Sequence, residues 1–398
     1  MKEWRESKMM KKRWPDAYKI IEVLEGAGFE AFVVGGAVRD YVRGVDANDV
    51  DITTNALPHQ IQSLFPNTID VGIEHGTIIV VLDLPIEVTT YRSESSYSDY
   101  RRPDQVTFVR SLKEDLKRRD FTINAMALTK EDEIIDFFNG RQDIEKQIIR
   151  AVGEPAQRFS EDALRMLRAI RFSSQLGYEL DTPTYNAIKE LYSLVSHVSM
   201  ERVKVELEKI WISNYPSKGM NLFIESDLAS CFEGQWMSPT KSWDQFNSYG
   251  KRKNGWAFFS TLQERKNVEN LLSYYKCSND EKKYVRLVLS AMDELIQGPW
   301  STYDIFYYPI EALNAAQAFS TSGSIYSLDK LHALKAELPI QSIRDLVING
   351  NDLIAWSNKK RGPWIKETMN QLILEVLNKN VSNDIDSIKD WFTHEFRN

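Results

Sequence analysis

The sequence predicts an α+β domain that is followed by a long all-helical part. Up to Arg150, stretches with a helical period alternate with β-branched runs such as TIIVVLD and IEVTTYR. After Arg150, stretches such as MERVKVELEKIWI are helical in both period and residue type. The chain has 398 residues, of which 42% are hydrophobic and 27% are charged, and this is enough for two or more globular domains.

The N-terminal elements can be predicted in order. DAYKIIEVLEGAG has the period of an amphipathic helix that ends at glycine, and FEAFVVGG is an apolar strand that Gly35 and Gly36 stop. AVRDYVRG then predicts a short helix, DVDITT a second strand, and GTIIVVLD and IEVTTYR two strands around a turn. Residues 92–104, RSESSYSDYRRPD, are polar and rich in serine, so we expect a mobile loop there.

The helical part begins with SEDALRMLRAIRFSSQLG and TPTYNAIKELYSLV. Its end, including KETMNQLILEVLNKNV, is also mostly helical in pattern. Only short breaks such as SNYPSKG and IQGPW interrupt it, so the boundaries that they indicate are weak.

Charge, cysteine content and apolar runs exclude several classes of protein. The net charge is −7, so a nucleic acid would be held by local basic patches rather than by the whole surface. The two cysteines, Cys231 and Cys277, form no CxxC pair or disulfide framework, which fits a reducing, cytoplasmic compartment. The basic N-terminus lacks the apolar segment of a signal peptide, and the longest apolar run, TIIVVLDLPI, is too short to span a membrane.

The stretch NDVDITT places two aspartates two residues apart in a predicted strand. Asp49 and Asp51 would point to the same face, where they repel each other unless a cation lies between them. Paired carboxylates bind hard divalent cations such as Mg²⁺. Glu87 shares a face with Thr89 in the strand IEVTT and is a candidate third carboxylate. Taken alone, DVD is better explained by solvent-facing side chains, and this remains an alternative for Glu87.

A second group of residues precedes the aspartates and predicts an anion site. In VVGGAVRD, a strand ends at Gly35 and Gly36 and turns into a helix, which lets backbone N–H groups approach phosphates closely. Arg39 and Arg43 follow on one face of that helix. A plain tight turn would explain two glycines by themselves, but the neighbouring carboxylates favour a nucleotide site.

A third group lies in KRRDFTINAMAL. Arginine is suited to phosphate, and aspartate with asparagine is suited to a ribose hydroxyl. Arg119, Asp120 and Asn124 are therefore candidates for nucleotide binding. A charged helix start is the simpler explanation of this stretch alone.

The fourth group, in RFSEDALRMLRAIRF, points to base recognition. We expect Ser160 to cap a helix that begins with Glu161 and Asp162, so that Asp162 and Arg165 are i,i+3 neighbours. Arginine only donates and aspartate only accepts, and this pattern fits the pairing edges of cytosine and adenine but mismatches uracil and guanine. Surface ion pairs along a stripe with Arg168 are the alternative explanation.

Together these pieces resemble the class II tRNA nucleotidyltransferases, or CCA-adding enzymes, of the polymerase β-like superfamily. The matching strings, between residues 34 and 172, are GGAVRDYVRG…DVDITT, SESSYSDYRRPD, RRDFTINAMA, DFFNGRQDI and EDALRMLRA. Downstream, MERVKVELEKI and NGNDLIAW…RGPWIKE…LILEVLN resemble the RNA-binding and tail regions of shorter bacterial members. The resemblance implies template-independent addition of C, C and A to the 3′ end of tRNA from CTP and ATP.

The resemblance also implies a role for each matching residue. Asp49 and Asp51 would hold Mg²⁺, and Asp136, Gly140 and Asp143 would belong to a hinge. The nucleotide would be held by a larger set: Gly35, Gly36 and Arg39 at the triphosphate, Arg119, Asp120 and Asn124 at the ribose, Glu161, Asp162 and Arg165 as the amino-acid template, and Arg168 at the phosphates.

The implied fold is a seahorse-shaped chain in four regions. A nucleotidyltransferase head with a mixed sheet would cover residues 1–150 and a helical neck 151–214, with a helical body at 215–300 and a helical tail at 301–398 that bind tRNA. Candidate phosphate contacts are the clusters Lys251–Lys253, Lys282–Lys283 and Lys359–Arg361, although solvated lysines explain them equally well. No membrane and no obligate protein partner is implied.

Alternatives remain within the same class. An A-adding tRNA nucleotidyltransferase would keep the loop at residues 92–104, and nothing in the sequence excludes it. A poly(A) polymerase resembles a different string in place of VGIEHGTIIVV, and a CC-adding enzyme would lack the loop. A silent RNA-binding scaffold would have no reason to keep the paired aspartates beside the two glycines, and the absence of a His-Asp dipeptide argues against an appended HD phosphohydrolase.

Overall fold

A mixed seven-stranded sheet organises the N-terminal part of the chain in the computed structural model. The structure describes residues 13–47, 49–95, 105–238, 241–320, 325–357 and 359–395. Its strands are β1 Ala31–Val34, β2 Asp51–Thr54, β3 Thr68–Gly72, β4 Thr77–Val81, β5 Pro85–Thr90, β6 Arg92–Ser95, β7 Gln105–Phe108, β8 Met126–Leu128, β9 Ile134–Asp136, β10 Ile148–Ile149 and β11 Glu179–Leu180.

The large sheet has the order β3-β4-β5-β2-β1-β8-β9, and in it β2 and β5 are parallel while the other neighbours are antiparallel. Two small ribbons, antiparallel β6-β7 and parallel β10-β11, lie outside it. The first helices are α1 Arg13–Gly26, α2 Gly36–Val42, α3 Pro58–Leu64, α4 Leu112–Lys117, α5 Gly140–Glu145, α6 Pro155–Glu161, α7 Leu164–Leu176, α8 Thr182–Leu191, α9 Met200–Trp211 and α10 Pro216–Glu225. The predicted α+β class of the head is confirmed.

Apolar side chains that are buried against the sheet determine which face of each strand points toward the core. α1 contacts β1, β2 and β5, and its side chains Ile20 and Ile21 are fully buried. Ile52, Ile86 and Val88 are also fully buried. Each such side chain contributes about 1.5–3 kcal/mol, and a slip of one residue in β2 or β5 would turn it to the other face. The register of these strands is therefore strongly specified.

Contacts divide the chain into two units, Met1–Gly234 and Gln235–Asn398. The second unit is helical where it is described, as the sequence predicts. Its helices are α11 Arg252–Thr261, α12 Val268–Tyr274, α13 Asn279–Gln297, α14 Thr302–Tyr307, α15 Ile310–Phe319, α16 Leu328–Ala336, α17 Gly350–Ser357, α18 Trp364–Leu377 and α19 Ile385–Glu395. Within the described ranges, no helix combines the length and the apolar composition needed to cross a bilayer.

Aromatic side chains fill much of the first half of the C-terminal unit. The rings of Trp236 and Phe259 are stacked with centroids 4.1 Å apart, and Trp243 lies 4.9 Å from Phe258. Trp256 is fully buried. Rings of this size bury large apolar areas and gain further stability from their mutual contacts, so this core needs no charged groups.

Two sequence expectations are wrong. Arg92–Ser95 is a strand paired with β7 rather than the start of a loop, because its partner lies beyond the serine-rich stretch; the rest of that predicted loop, residues 96–104, lies outside the described residues. The helix expected from Ser160 onward is broken: Ser160 and Glu161 end α6, and α7 starts at Leu164.

Candidate active site

Asp51 and Glu87 are direct neighbours on one face of the sheet. Asp51 opens β2, and its Cα partner on the parallel strand β5 is Glu87. Ile86 and Val88 flank Glu87 in sequence and are fully buried, whereas Glu87 is exposed, so Glu87 lies on the face that the sequence predicts. Asp49 is exposed and precedes the strand, so the strand-period argument that placed it beside Asp51 does not apply to it.

The donors on this face fit a hard divalent cation. Mg²⁺ prefers oxygen ligands, and one or two protein carboxylates are enough when substrate phosphates supply the rest. In the part of the chain that the structure describes, no group of three or more His, Cys, Asp or Glu side chains is arranged to hold a metal. Asp51 and Glu87 thus supply this face with two carboxylates.

Gly35 brings the glycine turn against this face. Its φ of 73° lies in the left-handed region, which favours glycine. A Cβ atom at this position would lie 3.3 Å from Nη1 of Arg119 and 3.8 Å from Oδ2 of Asp51. The turn therefore needs glycine for both conformation and space, and three predicted site residues meet at this point. Gly36 follows as the first residue of α2.

Arg39 is held in place by hydrogen bonds at both ends of its guanidinium group. Nε and Nη2 each donate to the carboxylate of Asp40 at 3.0 Å, and Nη1 donates to Oδ1 of Asn124 at 2.9 Å. The guanidinium also lies 5.5 Å from the ring centroid of Phe172. These contacts connect the predicted triphosphate residue Arg39 with the predicted ribose residue Asn124.

Asp120 is the centre of a buried polar cluster. Its carboxylate accepts hydrogen bonds from the backbone N–H of Phe121 at 2.8 Å, from Nδ2 of Asn124 at 3.3 Å and from Nε of Arg168 at 2.8 Å. Burial alone would raise the pKa of Asp120, but the charge and hydrogen bonds of Arg168 outweigh it and lower the pKa to about 2. Asp120 and Asn124 meet through the 3₁₀ turn Thr122–Asn124, not along a helix.

Arg119 lies between two carboxylates, and its side chain is 19% exposed. Its Nη2 lies 3.6 Å from Oδ2 of Asp115, and its other end faces Gly35 and Asp51. Its buried Nε has no hydrogen-bond partner among the described residues. Burial lowers the pKa of Arg119 although Asp115 opposes this shift. The sequence did not identify Asp115 as a site residue. The one pattern that could have indicated it is its position four residues before Arg119 on a helix.

The break between α6 and α7 holds the predicted template residues. Nη1 of Arg165 donates to Oε2 of Glu161 at 2.6 Å, and its Nη2 donates to the carbonyl of Arg118 at 3.0 Å. Asp162 instead accepts from Nη2 of Arg202 at 2.8 Å. The structure therefore brings the three template residues together, but the ion pair of Arg165 is with Glu161 rather than with Asp162.

The backbone explains why the helix does not start at Ser160. Asp162 has φ −137° and ψ 102°, and its Oδ1 accepts the N–H of Leu164 at 3.1 Å. This local bond competes with helix formation and allows α7 to begin two residues later. Ser160 donates its hydroxyl to the carbonyl of Ala156 at 2.9 Å and caps nothing. Arg202, which lies on α9, could not be found from the sequence because it is 40 residues from Asp162.

The predicted hinge residues stabilise a tight turn beside the site. Asp136 accepts hydrogen bonds from the backbone N–H groups of Gly140 and Arg141 at 3.0 and 2.9 Å. A Cβ atom at Gly140 would overlap the carbonyl oxygen of Thr122. Asp143 is buried and accepts from Oγ1 of Thr122 at 2.7 Å. These contacts give the three residues a structural role, and motion about them stays a prediction.

Two of the three expected basic clusters are partly neutralised. Lys251 and Lys253 lie 2.6 and 2.7 Å from the two carboxylate oxygens of Glu311. Lys282 lies 3.7 Å from Glu269. These pairs reduce the positive charge that the two clusters offer to a polyanion.

The third basic cluster, Lys359–Arg361, differs from the other two. Lys359 and Lys360 are exposed, and no ion pair joins the cluster to another described residue. The carbonyl of Lys360 accepts a hydrogen bond from Nε1 of Trp364 at 2.9 Å. This cluster is therefore the most accessible of the three to a phosphate backbone.

Three family models match successive ranges that together cover most of the chain. The model described as Poly A polymerase head domain matches residues 31–150. The model described as probable RNA and SrmB-binding site of polymerase A matches residues 177–233. The model described as putative tRNA nucleotidyltransferase domain 2 matches residues 248–392. The first of these matches lies within residues 1–150, the range predicted for the head.

Individual relatives match over nearly the whole chain. A CCA-adding enzyme of Bacillus cytotoxicus is 39% identical over 392 residues, which cover 96% of this chain and 98% of the relative. The crystal structure of the Bacillus stearothermophilus CCA-adding enzyme in complex with CTP matches with a TM-score of 0.86 and 35% identity, and 98% of each chain is covered. The Thermotoga maritima CCA-adding enzyme complexed with tRNA shares the fold, with a TM-score of 0.68 and 20% identity over 98% of this chain and 97% of that one. Identity of this level over nearly the full length shows that the chain belongs to the family of CCA-adding enzymes, which are nucleotidyltransferases.

Proposed function

We propose that the protein adds C, C and A in turn to the 3′ end of tRNA, from CTP and ATP, and releases pyrophosphate at each step. The observation that supports this best is the meeting of Asp51, Glu87, Gly35 and Arg119 on one face of the sheet. This arrangement offers a cation site and a phosphate site side by side. The CTP and tRNA complexes of the two structural relatives support the same substrates.

The sheet face that holds Asp51 and Glu87, called the acidic face below, would be the place of nucleotidyl transfer. Asp49 and Asp51 would hold Mg²⁺, which when bound lowers the pKa of the attacking 3′-hydroxyl and neutralises phosphate charge in a two-metal transfer. Glu87 lies beside Asp51 in the strand register and would offer a further carboxylate next to it. Since the paired strands are rigid, the carboxylates keep their spacing while substrates come and go.

The nucleotide would lie against the arginines next to this face. Gly35, Gly36 and Arg39 would contact the triphosphate, and the unpartnered Nε of Arg119 leaves a buried donor for the nucleotide. The ribose would be held by Arg119, Asp120 and Asn124. Arg168 is fixed by Asp120, so its guanidinium is oriented before phosphates arrive. These residue roles follow the family pattern and the contacts described above.

Base selection would depend on the break between α6 and α7. Arg165 can donate to acceptors on cytosine or adenine, and Asp162 can accept from their amino groups. Uracil and guanine would set donor against donor and acceptor against acceptor. The partly buried hydrogen bonds of Arg165 to Glu161 and of Arg202 to Asp162 hold Arg165 and Asp162 in position, which favours selection without a nucleic-acid template.

The test is a product-length assay. The protein is incubated with tRNA lacking its 3′ CCA together with CTP, ATP or both, and the products are sized on a sequencing gel. We expect two additions with CTP alone and a third when ATP is also present. Addition of A only, and only to tRNA that already ends in CC, would instead identify an A-adding enzyme. A long A tract would identify a poly(A) polymerase.

A further inference from the structure

Asp115 is a fully buried carboxylate close to the proposed metal site. It lies on α4, and its Oδ1 accepts from Nε of Arg118 at 3.0 Å and from the backbone N–H of Arg92 at 3.3 Å. Its Oδ2 accepts from Oγ1 of Thr53 at 3.3 Å. Thr53 follows Asp51 by two residues on β2, so Asp115 is tied to the strand that carries the proposed metal ligand.

Arg119 stands between this buried carboxylate and the acidic face. Its Nη2 makes an ion pair with Asp115 at 3.6 Å, and this is its one ion pair within the described parts of the chain. Its Nη1 lies on the side of Gly35 and Asp51. At 3.6 Å the guanidinium is attracted by charge but is not locked by a short hydrogen bond, so its position depends on the balance between two carboxylates.

We propose that Asp115 is a positioning residue of the nucleotidyl-transfer site, which keeps the Arg119 guanidinium away from the metal-binding carboxylates. Without the negative charge of Asp115, Arg119 would be drawn toward Asp51 and would compete with the divalent cation for it. This inference rests on the proposed function, because it takes Asp51 to be a metal ligand. It adds to that function a residue that contacts neither substrate nor metal.

Metal affinity tests this role without relying on turnover. Binding of Mn²⁺, as a spectroscopic substitute for Mg²⁺, is titrated by electron paramagnetic resonance on the nucleotide-free protein. Asp115→Asn keeps the shape and removes the charge, and we expect it to weaken Mn²⁺ binding about tenfold. Adding Arg119→Met to this variant removes the competing cation, so we expect the affinity to return to at least the wild-type value.

Two further variants separate the possible explanations. Asp16 is another buried carboxylate of the same unit, which accepts from the backbone N–H of Leu84, and Asp16→Asn should leave Mn²⁺ binding unchanged. Asp51→Ala should abolish Mn²⁺ binding at this site. If Asp51→Ala binds Mn²⁺ as the wild type does, the proposed metal site itself is wrong, and the role of Asp115 falls with it.

If Asp51→Ala loses the site while a folded Asp115→Asn keeps wild-type affinity, the positioning role alone is wrong. The same conclusion follows if the double variant stays as weak as Asp115→Asn. If Asp115→Asn does not fold, the double variant decides the matter, since it removes both members of the ion pair. Affinity at or above the wild-type value then supports the proposal, and weaker affinity overturns it.

Discussion

The two units of the chain differ in what they bury. Within the described residues, every buried charged side chain lies in the N-terminal unit, where Asp115, Asp120, Arg165 and Glu206 are examples. The buried polar side chains of the C-terminal unit are all neutral there: Ser248, Asn254, Ser260, Gln317 and Thr368. Burying a charge costs several kcal/mol unless it is paired, and the described helices of the C-terminal unit pack without that cost.

The N-terminal unit accepts this cost where nucleotide chemistry is expected. Asp120 and Arg165 are buried, each is held by a partner of opposite charge, and both belong to the proposed nucleotide site. The C-terminal unit places its charges on the surface instead, as in the pairing of Lys253 with Glu311. Within the described residues, buried charge is therefore found in the unit that holds the proposed nucleotide site, and neutral aromatic packing is found in the other unit.

Of the substitutions that test this difference between the two units, the one expected to change activity most is at Asp51, on the acidic face. Asp51→Ala should reduce incorporation of both C and A by about 10³-fold or more, because a lost cation removes several kcal/mol of stabilisation of the transition state. tRNA binding, measured by gel shift, should stay near the wild-type value. Asp83→Ala, at an exposed turn, is the control and should retain full activity. Substantial turnover by Asp51→Ala would remove Asp51 from the metal site.

A matched pair of glutamates compares the two units directly. Glu206 is buried against Arg171, and Glu206→Ala should destabilise the protein by about 3–5 kcal/mol because it leaves a buried arginine without its partner. Glu311 is half-exposed between two lysines, and Glu311→Ala should cost about 0–1 kcal/mol. Urea unfolding measures both, and equal losses would contradict the distinction between buried and surface charge.

Replacing Arg165, the buried arginine at the break between α6 and α7, should weaken base selection. Arg165→Ala should relax the preference for C and A over U and G by about 100-fold, since the mismatched bases no longer meet a fixed donor. The readout is the ratio of kcat/KM for CTP to that for UTP, which does not depend on how much protein is folded. Arg265→Ala removes an exposed ion pair in the C-terminal unit and should leave the ratio unchanged. An unaltered ratio in Arg165→Ala would exclude Arg165 as a base reader.

The smallest effect concerns pH. Because the pKa of Asp120 is lowered to about 2, its ionised form stabilises the folded state at pH values above the ordinary carboxyl pKa of about 4. We expect a contribution of about 2 kcal/mol that disappears as the pH falls from about 4 to about 2. Urea unfolding of wild type and Asp120→Asn at pH 5, 3 and 2 should show a difference that shrinks with acidity. A difference that is the same at all three values would contradict this account.

The features that the sequence predicts correctly are those that depend on a local pattern of residues. The alternation in IEVTT places Glu87 on the polar face, and the glycine turn before α2 follows from residues 35 and 36. Both need only neighbours a few positions away. The strand β8 was not predicted, because its three residues, Met126–Leu128, are buried on all sides and show no alternation.

Partners that lie far apart in the chain could not be predicted. Asp115 binds Thr53, 62 residues earlier, and Arg202 binds Asp162, 40 residues earlier. Periodicity places a side chain on a face but does not say which distant group it meets there. For the same reason the sequence pattern indicated Asp162 and Arg165 as neighbours on one helix. In the structure Asp162 instead binds Arg202, and Arg165 binds Glu161.

The parallel pairing of β2 with β5 also determines when the acidic face can form during folding. Asp51 and Glu87 come together only after α3, β3 and β4, which lie between them in the chain, have returned β5 to the sheet. Closing such a segment costs entropy before any strand contact repays it, so this pairing forms after local helices and hairpins. A collapsed chain in which only local helices and hairpins have formed therefore does not yet hold Asp51 and Glu87 side by side.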